Sequence, residues 1–184
     1  VDEVGVDATR FWMLMRSQDT TIDFDVDLAK SQSDKNPVFY VQYAHARACS
    51  IIRKALDKRI DIDNKTELEA LLEKEEIEEF NKNPDILPLF ETLSSEQYDA
   101  VKQLILKLEE GRALLFNAVK YRAPYMICKY LSELANLFHH FYNYTRVLSE
   151  DKKDTLMKFA LVDCFRIIME KMLNLIGVSA PEKM

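Results

Sequence analysis

The stretch Asn36-Pro37-Val38-Phe39-Tyr40-Val41-Gln42-Tyr43-Ala44-His45-Ala46-Arg47-Ala48-Cys49-Ser50-Ile51-Ile52 decides the fold. Asn36 is placed to cap a helix, and Pro37 stands at the first helical position, where its missing N–H costs nothing. Val41, Ala48 and Ile52 then share a side that must face a core. At about 100° per residue, Tyr40, Tyr43 and Arg47 fall within roughly 60° of one another on a different edge, beside the small Ala44. The pattern predicts one long helix to about Asp57. Flat rings beside a guanidinium suit unstacked nucleobases.

Working outward, Asp7 is expected to cap a short helix over 8–17, with Phe11, Leu14 and Met15 as its apolar stripe and Trp12 beside them. Thr21-Ile22-Asp23-Phe24-Asp25-Val26-Asp27 alternates apolar and acidic residues, which reads as an extended connector too short to make a sheet alone, and Asp27 is expected to cap a brief helical turn after it. From Lys58 to Ser94 the chain is acidic, broken by Pro84 and Pro88, with helical periodicity from Leu68 to Phe80. Ser94 or Ser95 should cap the next helix, which carries Tyr98, Val101, Ile105 and Leu108 on one face and meets a join at Gly111 before 113–121. Pro124 opens a helix over 125–144 with Ile127, Leu131, Leu134, Leu137, Phe138 and Phe141 as its stripe. A last helix, about 151–176, ends at Gly177, with Pro181 beyond. None of these helices is long enough to stand alone, so they imply an all-α bundle that buries their apolar faces together.

Composition agrees. With 184 residues, 48% of them hydrophobic, but only three glycines and five prolines, long helices are favoured over a turn-rich sheet protein. Cys49, Cys128 and Cys164 lie far apart in apolar helical runs, so buried reduced thiols are expected rather than disulfides or a zinc site. No leader-like segment and no apolar run of roughly 18 residues is present, which points to a soluble, cytoplasmic protein with no membrane partner.

The net charge of −6 argues at first against a nucleic-acid partner. The distribution of that charge argues the other way. Residues 1–60 carry nine Lys/Arg against nine Asp/Glu, residues 61–111 five against fifteen, and residues 112–184 eleven against seven. The acid is concentrated centrally, and a polyanion can still dock on the basic carboxy-terminal helices.

Several blocks, Val4-Gly5-Val6-Asp7-Ala8-Thr9-Arg10-Phe11-Trp12, Arg16-Ser17-Gln18-Asp19, Asp23 to Ala29 and Asn36 to Arg47, resemble arginyl-tRNA synthetase, as do Leu137 to Asn143 and the tail Leu173 to Met184. The resemblance covers 1–60 and about 100–184. It implies the antiparallel helical bundle of a class I synthetase anticodon-binding domain. Residues 1–26 would then be a connector following the catalytic domain, and 27–184 the bundle, with an acidic insertion at about 61–95. The His-Ile-Gly-His and Lys-Met-Ser-Lys motifs of class I catalysis are absent, so this chain alone is expected to be inactive. It would need no cofactor, while ATP and Mg would serve the full-length enzyme. The implied partners are the anticodon loop of tRNA(Arg) and the catalytic domain of the same synthetase, with no DNA.

The resemblance also implies site residues. Tyr40, Arg47, Tyr142 and Met184 match positions that face the anticodon, with stacking by Tyr40 and Tyr142, a phosphate or base-edge contact by Arg47, and a backbone or carboxylate contact by Met184. Tyr43 and Arg146 are further tRNA-binding candidates. Each has a plainer alternative: the tyrosines could be core residues with satisfied hydroxyls, and Arg47 could pair with Asp23 or Asp25. His45, His139 and His140 are expected to be structural, because neighbouring histidines on a helix diverge by about 100° and no ligand-spaced carboxylate or cysteine accompanies them. Two other readings stay open here: a helical protein-interaction module using the acidic 61–95 segment, or the equivalent domain of another class I synthetase.

Overall fold

The computed structural model describes residues 2–57, 93–149 and 152–184. The expected helix over 68–80 and nearly all of the acidic segment fall outside them. The described residues form six helices and no strand: α1 (Val6–Leu14), α2 (Val26–Lys30), α3 (Pro37–Asp57), α4 (Ser95–Lys120), α5 (Tyr125–Tyr144) and α6 (Lys152–Leu175). None of them is long and apolar enough to cross a membrane.

The local chemistry explains most of these boundaries. Ser94 and Gln97 make a reciprocal capping box at the start of α4, which satisfies two otherwise orphaned N–H groups. Helices α4 and α6 both end in Schellman turns. Ala123 N–H donates to the Ala118 carbonyl at 2.8 Å and Arg122 N–H to Val119 at 3.1 Å, with Arg122 itself at φ 50. At the end of α6, Val178 N–H donates to Leu173 and Gly177 N–H to Asn174, each at 3.0 Å, with Gly177 at φ 70. Glycine suits that left-handed position, because it carries no Cβ to collide with the following carbonyl.

Three expectations are corrected. Asp7 caps nothing: α1 starts from Gly5 without a side-chain cap, and Asp7 points its carboxylate elsewhere, as described below. The short helix α2 is capped by Asp25, whose Oδ1 accepts from Leu28 N–H at 2.9 Å, and not by Asp27. Gly111 marks no join, since α4 runs unbroken through it. The glycine lets α5 approach: a Cβ there would stand 2.9 Å from the Tyr130 hydroxyl. Asn36 does precede α3, and its carbonyl accepts from Tyr40 N–H at 2.9 Å. Its side chain, however, turns back to α2, donating to the Ala29 and Ser31 carbonyls at 3.0 and 2.8 Å.

Helices α4 and α5 form the most extensive pair, and α3 packs on both α6 and α5. Phe11, Val41, Leu104, Leu131, Leu134, Phe138, Phe141, Phe165, Met169 and Leu173 are fully buried between them. Phe138 and Phe165 stack at 3.9 Å between centroids, tying α5 to α6. Each such side chain contributes about 1.5–3 kcal/mol on burial, so the α3–α5–α6 contact is a well-packed base. Cys49 and Cys128 are buried free thiols, whereas Cys164 is exposed, because its place on α6 lies outside the apolar stripe of Phe165 and Met169.

Candidate nucleic-acid interface

On this base the exposed edge of α3 meets the end of α5. Arg47 stands between two phenol rings, its guanidinium carbon 4.7 Å from the centroid of Tyr43 and 4.6 Å from that of Tyr142. Its Nη2 donates to the Tyr43 hydroxyl at 2.7 Å. Its Nη1 lies 3.4 Å from His139 Nδ1. A guanidinium can only donate, so Nδ1 accepts and the ring proton sits on Nε2. Burial, reinforced by the neighbouring Arg47 charge, lowers the His139 pKa to about 4, and the ring is neutral. The guanidinium is thus held from three directions, and neither Asp23 nor Asp25 forms an ion pair with it among the described residues.

Tyr43, Arg47 and Tyr142 border a groove of about 480 Å³ that also takes in Ser50, Arg53, Lys54, Lys183 and Met184. Among the described residues, four cations and no carboxylate side chain line it. Tyr142 is 39% and Met184 55% exposed, so ring and thioether are both available to a ligand. Arg146 is exposed in an adjoining hollow that shares Tyr142 and Lys54 with the groove. Tyr40 lines neither space. It is half-buried, its ring 4.8 Å from His139 and its hydroxyl donating to Asn136 Oδ1 at 3.4 Å, and burial raises its pKa. It stands behind His139, which in turn supports Arg47.

Met184 reaches the groove because the tail before it is strapped down. Arg10 Nη1 donates to the Gly177 carbonyl. Asp7 accepts from Ser179 N–H at 3.1 Å, from the Ser179 hydroxyl, and from Gln42 Nε2 at 2.8 Å. Gln42 Nε2 also lies 3.0 Å from the Ser179 carbonyl. His45 Nδ1 donates to the Pro181 carbonyl at 2.9 Å, and Arg53 Nη1 to that of Glu182 at 2.9 Å. His45 is thereby explained as a buried structural residue. No group of three His, Cys, Asp or Glu side chains gathers to hold a metal ion among the described residues.

Sequence reasoning passed over Ser50 and Lys54, although both continue the Tyr43–Arg47 edge at helical spacing and could have been found by extending it. The strap residues Asp7, Arg10, Gln42, His45 and Arg53 left no such signal.

The sequence profile of the DALR anticodon binding domain matches residues 41–184. The chain belongs to this family. The arginine–tRNA ligase of Desulforamulus reducens is 40% identical over all 184 residues, which make up 29% of its own length. Solved structures agree in shape. A Campylobacter jejuni protein assigned as an arginyl-tRNA synthetase is similar over the whole of this chain and 34% of its own, at 29% identity and a TM-score of 0.71. The arginyl-tRNA synthetase of Thermus thermophilus is similar over 99% of this chain and 27% of its own, at 25% identity and a TM-score of 0.68. This DALR domain therefore corresponds to the anticodon-binding region of the arginyl-tRNA synthetases and spans about a third or less of the relatives it matches.

Proposed function

We propose that this domain holds the anticodon loop of tRNA(Arg) in the groove between α3, the end of α5 and the tail, and so positions the tRNA for a catalytic domain of the same synthetase. The observation that carries this is Arg47, fixed between Tyr43 and Tyr142 at the edge of a groove that, among the described residues, is lined by four cations and no carboxylate side chain. Loop bases splayed from the stem need ring faces to stack on and donors for their edges. Tyr142 offers a half-exposed ring. Arg47 offers charged N–H groups whose orientation is set in advance by Tyr43 and His139, so little ordering cost falls on binding. Arg53, Lys54 and Lys183 meet phosphates. Met184 presents its flexible thioether or backbone to the base.

Tyr40 acts in this reading by backing His139, and a direct base contact would need its ring to turn outward. Arg146 adds positive charge beyond Tyr142. Joining arginine to tRNA requires ATP and Mg, but the three glycines of this sequence are scattered and make no glycine-rich loop, and its described residues gather no cluster of metal ligands. Those groups do not fit here, and the chemistry belongs to the catalytic domain, in a cytoplasmic enzyme.

Fluorescence anisotropy with the anticodon stem-loop of tRNA(Arg) tests the proposal. Arg47→Ala should weaken binding by about tenfold or more, through loss of charge and of the stacked plane. Lys54→Ala should flatten the salt dependence by about 0.7 in the logarithmic slope, as one phosphate contact is lost. Unchanged affinity in Tyr142→Ala combined with Arg47→Ala would refute it.

A further inference from the structure

Beside the groove lies a second hollow, of about 550 Å³, whose lining includes Ile51, Lys54, Tyr142, Tyr144, Thr145 and Arg146. Ile51, Lys54 and Tyr142 belong to both linings, which makes Tyr142 a wall common to two adjoining spaces. Tyr144 is 51% exposed. Its ring rests against His140 at 4.7 Å, an interaction that limits its rotation. Lys54 and Arg146 supply positive charge, and no carboxylate belongs to the lining among the described residues. Thr145 also lines this space, is 3% exposed, and carries a hydroxyl with no partner among the described residues.

Other polar groups around the hollow are committed to the fold. Gln97 Nε2 donates to the Tyr144 carbonyl at 2.9 Å, and its Oε1 accepts from Ser94 N–H at 3.1 Å. Thr145 N–H closes onto Phe141 at 2.9 Å. What the hollow offers a ligand is the half-exposed Tyr144 ring, two cations and the exposed Asn143 amide, with the unpartnered Thr145 hydroxyl buried behind them. That set suits a nucleotide. A protein segment would need a broader apolar floor than Ile51, Val147 and Leu148 provide at one side.

We propose that the hollow is a second nucleotide subsite, which takes the unpaired loop nucleotide next along the RNA strand from the one held at Arg47. This rests on the groove being the anticodon-loop site. Successive bases of a splayed strand each need a new stacking surface, since leaving one base unstacked in water forfeits its share of the binding free energy. Tyr144 provides the second surface. Lys54, common to both spaces, meets the phosphate that links the two nucleotides, and Arg146 meets the phosphate beyond.

The test uses the full chain and the tRNA(Arg) anticodon stem-loop, with an abasic residue placed in turn at each loop position. In the native protein, the abasic change at one neighbour of the groove nucleotide should cost about fivefold or more in affinity, the lower end for one stacked base. Tyr144→Ala with Arg146→Ala should lose a similar factor and should be indifferent to that same abasic change, while still discriminating the groove nucleotide. Both side chains are exposed, and a melting curve confirms folding. If this double variant binds as the native chain does, the second subsite is refuted, with the groove reading intact provided Arg47→Ala still weakens binding. If Arg47→Ala is also silent, both fail.

Discussion

Asp7→Ala should both loosen the fold and weaken RNA binding, although Asp7 lines no part of the groove. Three donors end on its carboxylate: Ser179 N–H at 3.1 Å, the Ser179 hydroxyl, and Gln42 Nε2 at 2.8 Å. A hydrogen bond to a charged group contributes about 1.5–3 kcal/mol. The three share one half-buried acceptor, so they do not add in full, and Ser179 can turn to water once released. Asp7 also lies in the first turn of α1, where a negative charge contributes about 0.3–1 kcal/mol. A net loss of about 2–3 kcal/mol follows, which in a chain of this size lowers the melting temperature by about 4–12 °C. Freed at Ser179, the tail no longer fixes Lys183 and Met184 in the groove, and affinity for the anticodon stem-loop should drop by about threefold or more. Gln42→Ala, which leaves α1 untouched, should act in the same direction. Circular-dichroism melts and anisotropy read the two effects separately. A melting temperature within about 1 °C of the native value would refute the strap as a source of stability. A lowered melting temperature with full RNA affinity would refute its role in placing the tail.

Gly111→Ala should destabilise despite the gain of about 1 kcal/mol in helix propensity, because the new methyl would lie 2.9 Å from the Tyr130 hydroxyl and displace its bond to the Lys107 carbonyl. Overpacking of a fully buried ring costs about 1–3 kcal/mol, and a rise in denaturation midpoint would show that Tyr130 yields freely. His139, neutral and with its pKa depressed to about 4, binds fewer protons in the folded chain than in the unfolded one below the ordinary histidine pKa of about 6.5. Its contribution to stability is full above that value and is lost as pH falls toward about 4. His139→Gln should flatten this part of the pH–stability curve, and an NMR titration that places His139 near 6.5 would contradict the geometry.

Helix order and bundle class were readable because they depend on periodic burial and on end signals. The Asn36–Pro37 start, the Ser94 cap, Pro124 before α5 and Gly177 after α6 all act through local backbone chemistry. Errors arose where a tertiary contact overrode a local preference. Gly111 reads as a break until Tyr130 is seen against it, and Asp7 reads as a cap until Ser179 arrives from 172 positions away. Among Asp23, Asp25 and Asp27 any could cap a short helix, and register alone selects Asp25. Within the site, the Tyr43–Arg47 edge was visible in helical spacing, whereas the approach of Tyr142 to Arg47 depends on how α5 crosses α3. The support given by His139 was hidden for the same reason.

Apart from the Ser179 N–H and hydroxyl, which Asp7 holds, the strap grips the tail by its carbonyls, at Gly177, Ser179, Pro181 and Glu182. A carbonyl is present whatever side chain the residue bears. Positions such as Pro181 and Glu182 can therefore drift widely in identity without altering the path of the segment. Gly177 has no such latitude, since its φ of 70 and the Arg10 guanidinium 2.9 Å from where a Cβ would stand both demand the smallest residue.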